Sequence, residues 1–145
     1  MNGRARAIPA GLPVEIIGVR TTGREEFVNV TEAVQAGLTA LGARNGLCFL
    51  HCPHTTAGLT VNEGSDPAVV SDLLLALRKM VPEGGYAHAE GNSTAHVKSS
   101  LMGCSLALAV ADGRLVLGTW QAVFFCEFDG PRSRHLRLSF LACGG

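Results

Sequence analysis

The chain has 145 residues, of which 47% are hydrophobic and only 17% are charged, and its twelve basic residues balance twelve acidic ones. This length suits one domain with a substantial core. A balanced charge argues against general nucleic-acid binding, and no apolar run approaches the roughly 20 residues needed to cross a bilayer. Soluble domains typically have roughly 25% charged residues, so the low value predicts either an oligomer or attachment to another surface.

Residues 1–12 are rich in Gly, Pro and Arg and lack the continuous apolar segment of a signal peptide. We expect a flexible tail there, followed by a single domain over residues 13–145. An odd number of cysteines, several inside apolar runs and none in a CxxC pair, predicts reduced thiols and a cytoplasmic protein. The five are Cys48, Cys52, Cys104, Cys126 and Cys143.

The first half of the chain alternates between extended and helical patterns. Asp66 before Pro67 is a strong helix start, because an N-cap carboxylate is followed by proline at the first helical position. Thr31 is expected to cap the preceding helix. The predicted elements are strands at 13–20, within 23–30, at 46–52 and at 57–62, and helices at 32–41 and from 67 to about 80.

In the second half, Asn92 or Ser93 can cap a short helix over Thr94–Met102, which Gly103 would end. Cys104–Ala111 is apolar on both faces, so we expect cover on both sides from a second layer or a neighbouring subunit. Asp112-Gly113 indicates a type I′ hairpin turn. Further strands are predicted at 114–118, 119–128 and 134–141. The fold class is therefore α+β, a mainly antiparallel β-sheet sandwich with two to three helices.

The segment from Tyr86 to Gly103 concentrates chemistry, since His88 and His96 flank a polar hinge that contains Glu90 and Asn92. The helix start that follows leaves backbone N–H groups for an anion. On spacing alone, a polar loop leading into a capped helix explains this segment equally well.

Three histidines in polar segments at element boundaries, His54, His88 and His96, form a possible ligand set for a divalent metal, zinc or magnesium. His51 is more simply explained as a core or interface residue, and His135 as a solvated one. His54 or His96 is also a candidate general acid or base, because imidazole titrates near neutral pH.

Among the carboxylates, Glu63 is a candidate to orient a histidine or a metal-bound water. Glu127 lies on a strand face beside apolar residues and needs a partner, for which Arg132 is the nearest candidate. A structural ion pair explains Glu127 and Arg132 as well as catalysis does. Lys98, Arg132 and Arg134 are possible phosphate ligands, although a solvated surface position is the simpler explanation for each.

Three segments, HTTAGLTVNEGSDP (54–67), HAEGNSTAHVKSSLMG (88–103) and GRLVLGTWQAVFFCEFDGPRSR (113–134), resemble the secondary thiamine-phosphate synthase family, also known as YjbQ-like proteins. The similarity runs from about residue 14 onwards. It implies a compact α+β homotrimer with sites near subunit contacts and a thiamine-phosphate synthase side activity. The positions that match the family's motifs are His54, Asn62, Glu63, Asp66, His88, His96, Gln121, Glu127 and Arg132, whereas the segment EGNST between His88 and His96 departs from the family's pattern.

Two functions of different kinds follow from this resemblance. The first is an enzyme that joins a pyrimidine diphosphate to a thiazole phosphate, with His54, His96, Glu63 and Glu127 as catalytic residues. Substrate contacts are then expected from Asn62, Asn92, Lys98, Gln121 and Arg132. The second is a trimer without this catalysis, or with a different one, that binds a small anionic metabolite or a metal at the histidine pocket.

Overall fold

The computed structural model describes residue 7 and residues 11–144. The predicted tail at 1–12 therefore falls mostly outside the described residues. Within residues 11–144 there are eight strands and three helices. They are β1 (Val14–Arg20), β2 (Glu26–Asn29), α1 (Thr31–Ala40), β3 (Gly46–His51), β4 (Ala57–Glu63), α2 (Pro67–Met80), α3 (Ser93–Met102), β5 (Ser105–Ala111), β6 (Arg114–Leu115), β7 (Gln121–Glu127) and β8 (Ser133–Ala142).

The strands form two sheets in which every neighbouring pair is antiparallel, which confirms the predicted fold class. The larger sheet has the order β1-β8-β3-β5-β6, and the smaller has the order β2-β7-β4. Hydrogen bonds across β4 and β7 place Ala57 opposite Glu127 at one end and Glu63 opposite Gln121 at the other. This register decides which predicted site residues are neighbours.

A first core fills the space between the two sheets. Cys48 and Leu50 of β3 and Leu136 and Leu138 of β8 have no exposed surface, and they pack in one cluster with Phe125 of β7. Each comes from the inward face of its strand, as the period-two alternation predicts. Helix α1 adds Val34 and Leu38 to the same cluster.

A second core lies between the small sheet and helices α2 and α3. The other face of β7 contributes Phe124 and Cys126, which cluster with Leu77 of α2 and Ala95 of α3. Strand β7 is therefore covered on both faces. Its predicted alternation is confirmed apart from Trp120, which precedes the strand and is 65% exposed.

The outward face of the large sheet, here named the outer sheet face, remains uncovered by the described part of the same chain. Leu47 and Phe49 are 49% and 43% exposed, and they pair with Ala109 and Ala107 of β5. Strand β5 therefore has one open face, and a second layer from the same chain was the wrong expectation for it. The remaining exposed apolar side chains of this face include Ile16 and Leu141.

Local signals set most element ends. Asp66 caps α2 by accepting a hydrogen bond from the Ala68 N–H at 2.9 Å, and Pro67 opens the helix, both as predicted. Thr31 does not cap α1, because its hydroxyl accepts from the Val123 N–H at 2.9 Å and so ties the helix to β7. Among the described residues, no helix is long and apolar enough to span a membrane.

Turns behave as the glycine pattern predicts. Asp112 and Gly113 have φ values of 51° and 80°, so both central residues of the β5–β6 hairpin are left-handed, as a type I′ turn requires. Gly103 ends α3 with φ 90°, a conformation that L side chains rarely adopt.

Candidate functional site

Helix α3, which carries His96, lies directly on strand β4. The Ser99 hydroxyl donates to the Ala57 carbonyl at 2.6 Å, and the Leu59 N–H donates to the Gly103 carbonyl at 3.0 Å. Gly58 makes this approach possible, since a Cβ there would lie 2.8 Å from the Gly103 carbonyl oxygen. The helix is thus held in place by backbone contacts as well as by apolar packing.

Lys98 anchors the opposite side of α3. Its side chain is 4% exposed, and its ammonium donates to Glu25 at 3.0 Å, while Arg78 of α2 bonds the other oxygen of the same carboxylate at 3.1 Å. Burial raises the pKa of Glu25, but the hydrogen bonds from Lys98 and Arg78 outweigh it and leave that pKa below its ordinary range. Lys98 was predicted as a substrate ligand, and in this structure its charge is already paired.

His88 and His96 meet beside the start of α3. Their ring centroids are 5.5 Å apart and the rings are perpendicular. Both line an open cavity of about 440 Å³, together with Tyr86, Ser93 and Val97. A smaller adjoining cavity of about 160 Å³ shares His88 and Ser93 and is bounded by the glycines at 84, 85 and 91.

The first turn of α3 faces that smaller cavity through Ser93 and Thr94. Asn92 is the N-cap residue, but its side chain makes no capping hydrogen bond. The Asn92 amide instead donates to Asp129 at 3.0 Å, and Arg132 bonds the same Asp129 carboxylate oxygen at 3.1 Å. Two residues predicted to contact substrate, Asn92 and Arg132, therefore share one structural carboxylate.

His54 lies apart from the other two histidines, in the bend between β3 and β4. Its Nε2 lies 3.0 Å from the His135 carbonyl oxygen and 3.1 Å from the His135 backbone nitrogen, and the two rings are 5.0 Å apart. Burial and the nearby charge of Arg134 lower the pKa of His54 from its ordinary value of 6.5. These two effects favour the neutral form of the His54 imidazole.

Glu127 has no exposed surface and forms a closed network of hydrogen bonds. Its partner is Arg134, which donates at 2.9 Å to one oxygen and forms a second, shorter contact with the other. The Thr21 hydroxyl donates at 2.7 Å, and the backbone N–H groups of Phe128 and Asp129 complete the set. The prediction that Arg132 is the partner of Glu127 was wrong, because the Arg132 guanidinium bonds Asp129 instead.

This network changes the ionisation of Glu127. Burial by itself raises the pKa of Glu127, but the hydrogen bonds from Arg134 and Thr21 outweigh burial and hold the pKa below its ordinary value of 4.5. Both oxygens are occupied by donors, and Arg134 also donates to the Thr56 hydroxyl at 2.7 Å. The network joins the ends of β1, β4, β7 and β8.

Asn62, Glu63 and Gln121 lie at the other end of the β4–β7 pair from Ala57 and Glu127. Six residue steps at roughly 3.3 Å each separate the two ends by about 20 Å. Glu63 accepts from the Ser65 N–H at 2.7 Å, and Gln121 accepts from the Gly118 N–H at 2.8 Å. Within one chain, these three residues do not join the histidines.

The predicted site residues are thus divided among three places, and the described residues contain no cluster of three His, Cys, Asp or Glu side chains able to hold a metal ion. Sequence reasoning missed the pairing of Arg134 with Glu127. It also missed that Tyr86 lines the larger cavity beside His88 and His96. A signal for the first was available, because Arg134 shares the inward face of β8 with Leu136 and Leu138. A charge on that face requires a buried partner.

These elements define the class: a two-sheet α+β protein with a histidine-lined cavity at the start of α3. The family model "UPF0047 protein YjbQ-like" matches residues 15–143. The chain belongs to this family.

Curated relatives agree over nearly their whole length. UPF0047 protein YugU of Bacillus subtilis is 45% identical over 123 residues, which are 83% of this chain and 93% of the relative. UPF0047 protein MJ1081 of Methanocaldococcus jannaschii is 42% identical over 124 residues, or 85% and 90% of the two chains. These names state a family without a reaction or a ligand.

Solved structures extend the agreement to the backbone. A YjbQ/UPF0047 family protein from Clostridium acetobutylicum superimposes with a TM-score of 0.85 at 42% identity, covering 88% of this chain and 99% of the other. The conserved hypothetical protein TT1486 from Thermus thermophilus gives a TM-score of 0.82 at 47% identity, with 88% and 99% coverage. The fold is therefore that of the family.

Proposed function

We propose that this protein is a homotrimer that binds a small phosphorylated metabolite, assisted by a divalent metal, in the cavity lined by His88 and His96. The observation that carries the proposal is the perpendicular pair of imidazoles, 5.5 Å apart, at the start of α3. Two nitrogen donors and free backbone amides at the same opening suit a metal together with a phosphate.

The two adjoining cavities suit the two parts of such a ligand. A phosphate fits the smaller space, because no side chain caps the first turn of α3 and its N–H groups carry partial positive charge. The organic part fits the larger space beside Tyr86 and Val97. The smaller cavity is also lined by the glycines at positions 84, 85 and 91, which have no side chains to separate the backbone from a ligand.

A zinc or magnesium ion fits these residues only in part. His88 and His96 offer two ligands, and a zinc site usually takes at least three from the protein. We propose that the third, His54, comes from a neighbouring copy of the chain. When bound, the metal would neutralise charge on a phosphate or diphosphate group.

The oligomer is supported by the outer sheet face. Leu47, Phe49 and Leu141 each leave between 43% and 56% of their surface exposed on adjoining strands. Exposed apolar patches of this kind mark interaction sites, and the chain is poor in charge. A trimer would also allow Asn62, Glu63 and Gln121 of one copy to approach the histidines of another.

The reaction we propose is of the thiamine-phosphate synthase type, which joins a pyrimidine diphosphate to a thiazole phosphate. Glu127 is better suited to holding Arg134 than to proton transfer, since both its oxygens are occupied. We place the protein in the cytoplasm, supported by five free cysteines. Neither nucleic acid nor a membrane is proposed as a partner.

One observation favours the alternative, a binding protein without this catalysis. Lys98 and Arg132, the basic residues proposed to hold the diphosphate, are both paired with carboxylates, Glu25 and Asp129. An enzyme that expels pyrophosphate needs positive charge directed at the leaving group. A measured turnover rate with both substrates distinguishes the synthase from the binding protein.

The experiment measures metal content and rate on the same preparations. We expect His96→Ala and His88→Ala each to weaken zinc binding by more than about tenfold, because a direct ligand matters at least as much as its supporting groups. His51→Ala removes an imidazole outside the cavity and is the matched control. Equal zinc binding by all three variants would refute the metal site.

Rates are measured with the pyrimidine diphosphate and the thiazole phosphate as substrates. Turnover of about 1 s⁻¹ or more is in the usual range for enzymes and would support the synthase. Much slower turnover, together with binding of a phosphorylated ligand that His96→Ala abolishes, would support the binding protein.

A further inference from the structure

Two cysteines lie opposite each other where the β3–β5 pair ends. His51 pairs with Ser105 in that antiparallel ladder, so the next residues on each side are Cys52 and Cys104. The Cys52 N–H donates to the Cys104 carbonyl at 2.8 Å, which continues the ladder by one pair. The two residues are 52 positions apart in the sequence but direct neighbours in space.

Their side chains share one face. Cys52 follows the inward series Cys48 and Leu50 on β3, and Cys104 precedes the facing series Leu106 and Leu108 on β5. Residues opposite each other in an antiparallel pair point to the same side, and hydrogen-bonded partners have Cα atoms about 5.5 Å apart. Disulfides join Cα atoms about 4.4–6.8 Å apart, and the Cα spacing of such a pair lies within that range.

The two thiols differ in their access to solvent. Cys104 is exposed, Cys52 is 2% exposed, and both are free thiols. Cys104 is therefore the sulfur that an oxidant in solution reaches first. An exposed cysteine with a resolving cysteine beside it is the usual arrangement of a redox-sensitive pair.

We propose that Cys52 and Cys104 form a redox modification site that peroxide converts to a reversible disulfide. The Cys104 thiolate attacks one peroxide oxygen and becomes a sulfenic acid, while the other oxygen leaves as hydroxide and is protonated to water. The Cys52 thiol then attacks that sulfur, forms the S–S bond and releases a second water. In total, two thiols and one hydrogen peroxide give one disulfide and two waters.

The position of this bond gives it a structural consequence. Cys52 lies two residues before His54, and Cys104 directly follows Gly103 at the end of α3. Oxidation therefore fastens the β3–β4 bend to the helix that carries His96. The inference depends only on the sheet register and the exposure of the two thiols, and it holds whether or not the histidine cavity binds a ligand.

The test treats the reduced full-length chain with hydrogen peroxide at neutral pH without denaturant. The thiols that remain are then alkylated and counted in denaturant. We expect the count to fall from five to three, with a peptide pair linked through Cys52 and Cys104, and dithiothreitol should restore five. The melting temperature of the oxidised form should rise by about 5 °C or more, because the bond closes a long loop.

Two variants make the result specific. Cys104→Ser alters an exposed side chain, so it should fold normally, and it should lose no pair of thiols to peroxide. Cys143→Ser is the matched control, since Cys143 is also exposed but its N–H donates to the Asn45 carbonyl, so that it lies opposite Asn45 and not opposite a cysteine. We expect its count to fall from four to two. A disulfide mapped to any other pair, a disulfide between chains, or an undiminished loss of two thiols in Cys104→Ser would overturn the proposal.

Discussion

Glu127 shows how a single residue changes its role once its neighbours are known. The sequence places it near Arg132, and only the fold brings Thr21, Thr56 and Arg134 around it. The free-energy cost of burying a carboxylate is offset here by an ion pair and several hydrogen bonds. Removing its charge would leave Arg134 buried without a counter-charge.

We therefore predict that Glu127→Gln lowers the free energy of unfolding by about 3 kcal/mol or more at pH 7. The pKa of Glu127 is lowered in the folded state, so its contribution is present above the unfolded pKa and is lost as pH falls through the folded pKa. The gap between wild type and variant should consequently shrink as pH falls below about 4.5. Urea unfolding at fixed protein concentration, over a pH series, measures both effects.

Asp72→Asn, on the exposed surface of α2, is the control for loss of a carboxylate and should stay within about 0.5 kcal/mol of wild type. If Glu127→Gln proved as stable as Asp72→Asn but inactive, Glu127 would be a catalytic residue and the structural interpretation would fail.

Sequence spacing can identify a buried charged residue such as Glu127, but it does not identify the residues that pair with it. Arg134 is recognisable as an inward position of β8, whereas Thr21 and Thr56 carry no signal of their own. The same limit applies to His54, which the sequence groups with two other histidines and the structure places beside His135. Contacts between residues about 80 to 110 positions apart depend on the packing of whole elements, which local periodicity does not encode.

At the scale of elements, the position of α3 depends on one glycine. A Cβ on Gly58 would lie 2.8 Å from the Gly103 carbonyl oxygen and 3.1 Å from the Met102 Cβ. Both are tighter than ordinary contacts, and the first is with backbone, which has no free rotamer to move away. Helix and strand would have to separate.

We predict that Gly58→Ala lowers the melting temperature by several degrees. It should also weaken ligand binding at the cavity, because α3 would move away from β4 and carry His96 away from His88. Gly18→Ala on β1 is the matched control, since a Cβ there meets nothing within 4 Å. Thermal melts and zinc binding on both variants test this. Normal behaviour of Gly58→Ala would mean that α3 is free to shift without cost.

Element types were largely predictable because their signals are local. The Asp66-Pro67 start, the Asp112-Gly113 turn and the alternation of β7 each need only a few consecutive residues. Errors arose where tertiary contacts decide, as for Thr31, whose hydroxyl bonds β7 instead of capping its own helix. For β5, composition shows that both faces are apolar but not what lies against them, so a second layer and a neighbouring subunit could not be told apart.

At the scale of the molecule, the outer sheet face is an exposed apolar surface. Phe49 and Leu47 lie on its central part, with Ala107 and Leu141 on the neighbouring strands. Burying side chains of this size contributes about 1.5–3 kcal/mol each. Part of this gain is still available to an interface, because Leu47, Phe49 and Leu141 keep 43–56% of their surface exposed.

We predict that Phe49→Glu dissociates the proposed trimer at micromolar concentration, because the interface would have to bury an unpaired charge. Sedimentation equilibrium should show one mass for wild type, three times that of the chain, and a monomer for the variant. Leu75→Glu changes an exposed leucine on α2, away from the sheet, and should remain trimeric. A wild-type monomer would disprove the oligomer, and a trimeric Phe49→Glu would place its interface elsewhere.

The position of β8 between β1 and β3 also has a consequence for biosynthesis. All four other strands of the large sheet leave the ribosome before residues 133–142 do, yet β1 is joined to β3 and the rest of the sheet only through β8. Until β8 arrives, β1 has no partner and one edge of β3 stays open, which is a surface prone to mispairing. Nascent chains arrested before residue 133 should therefore remain protease-sensitive and bind chaperones, and the fold should become resistant only after β8 has been released.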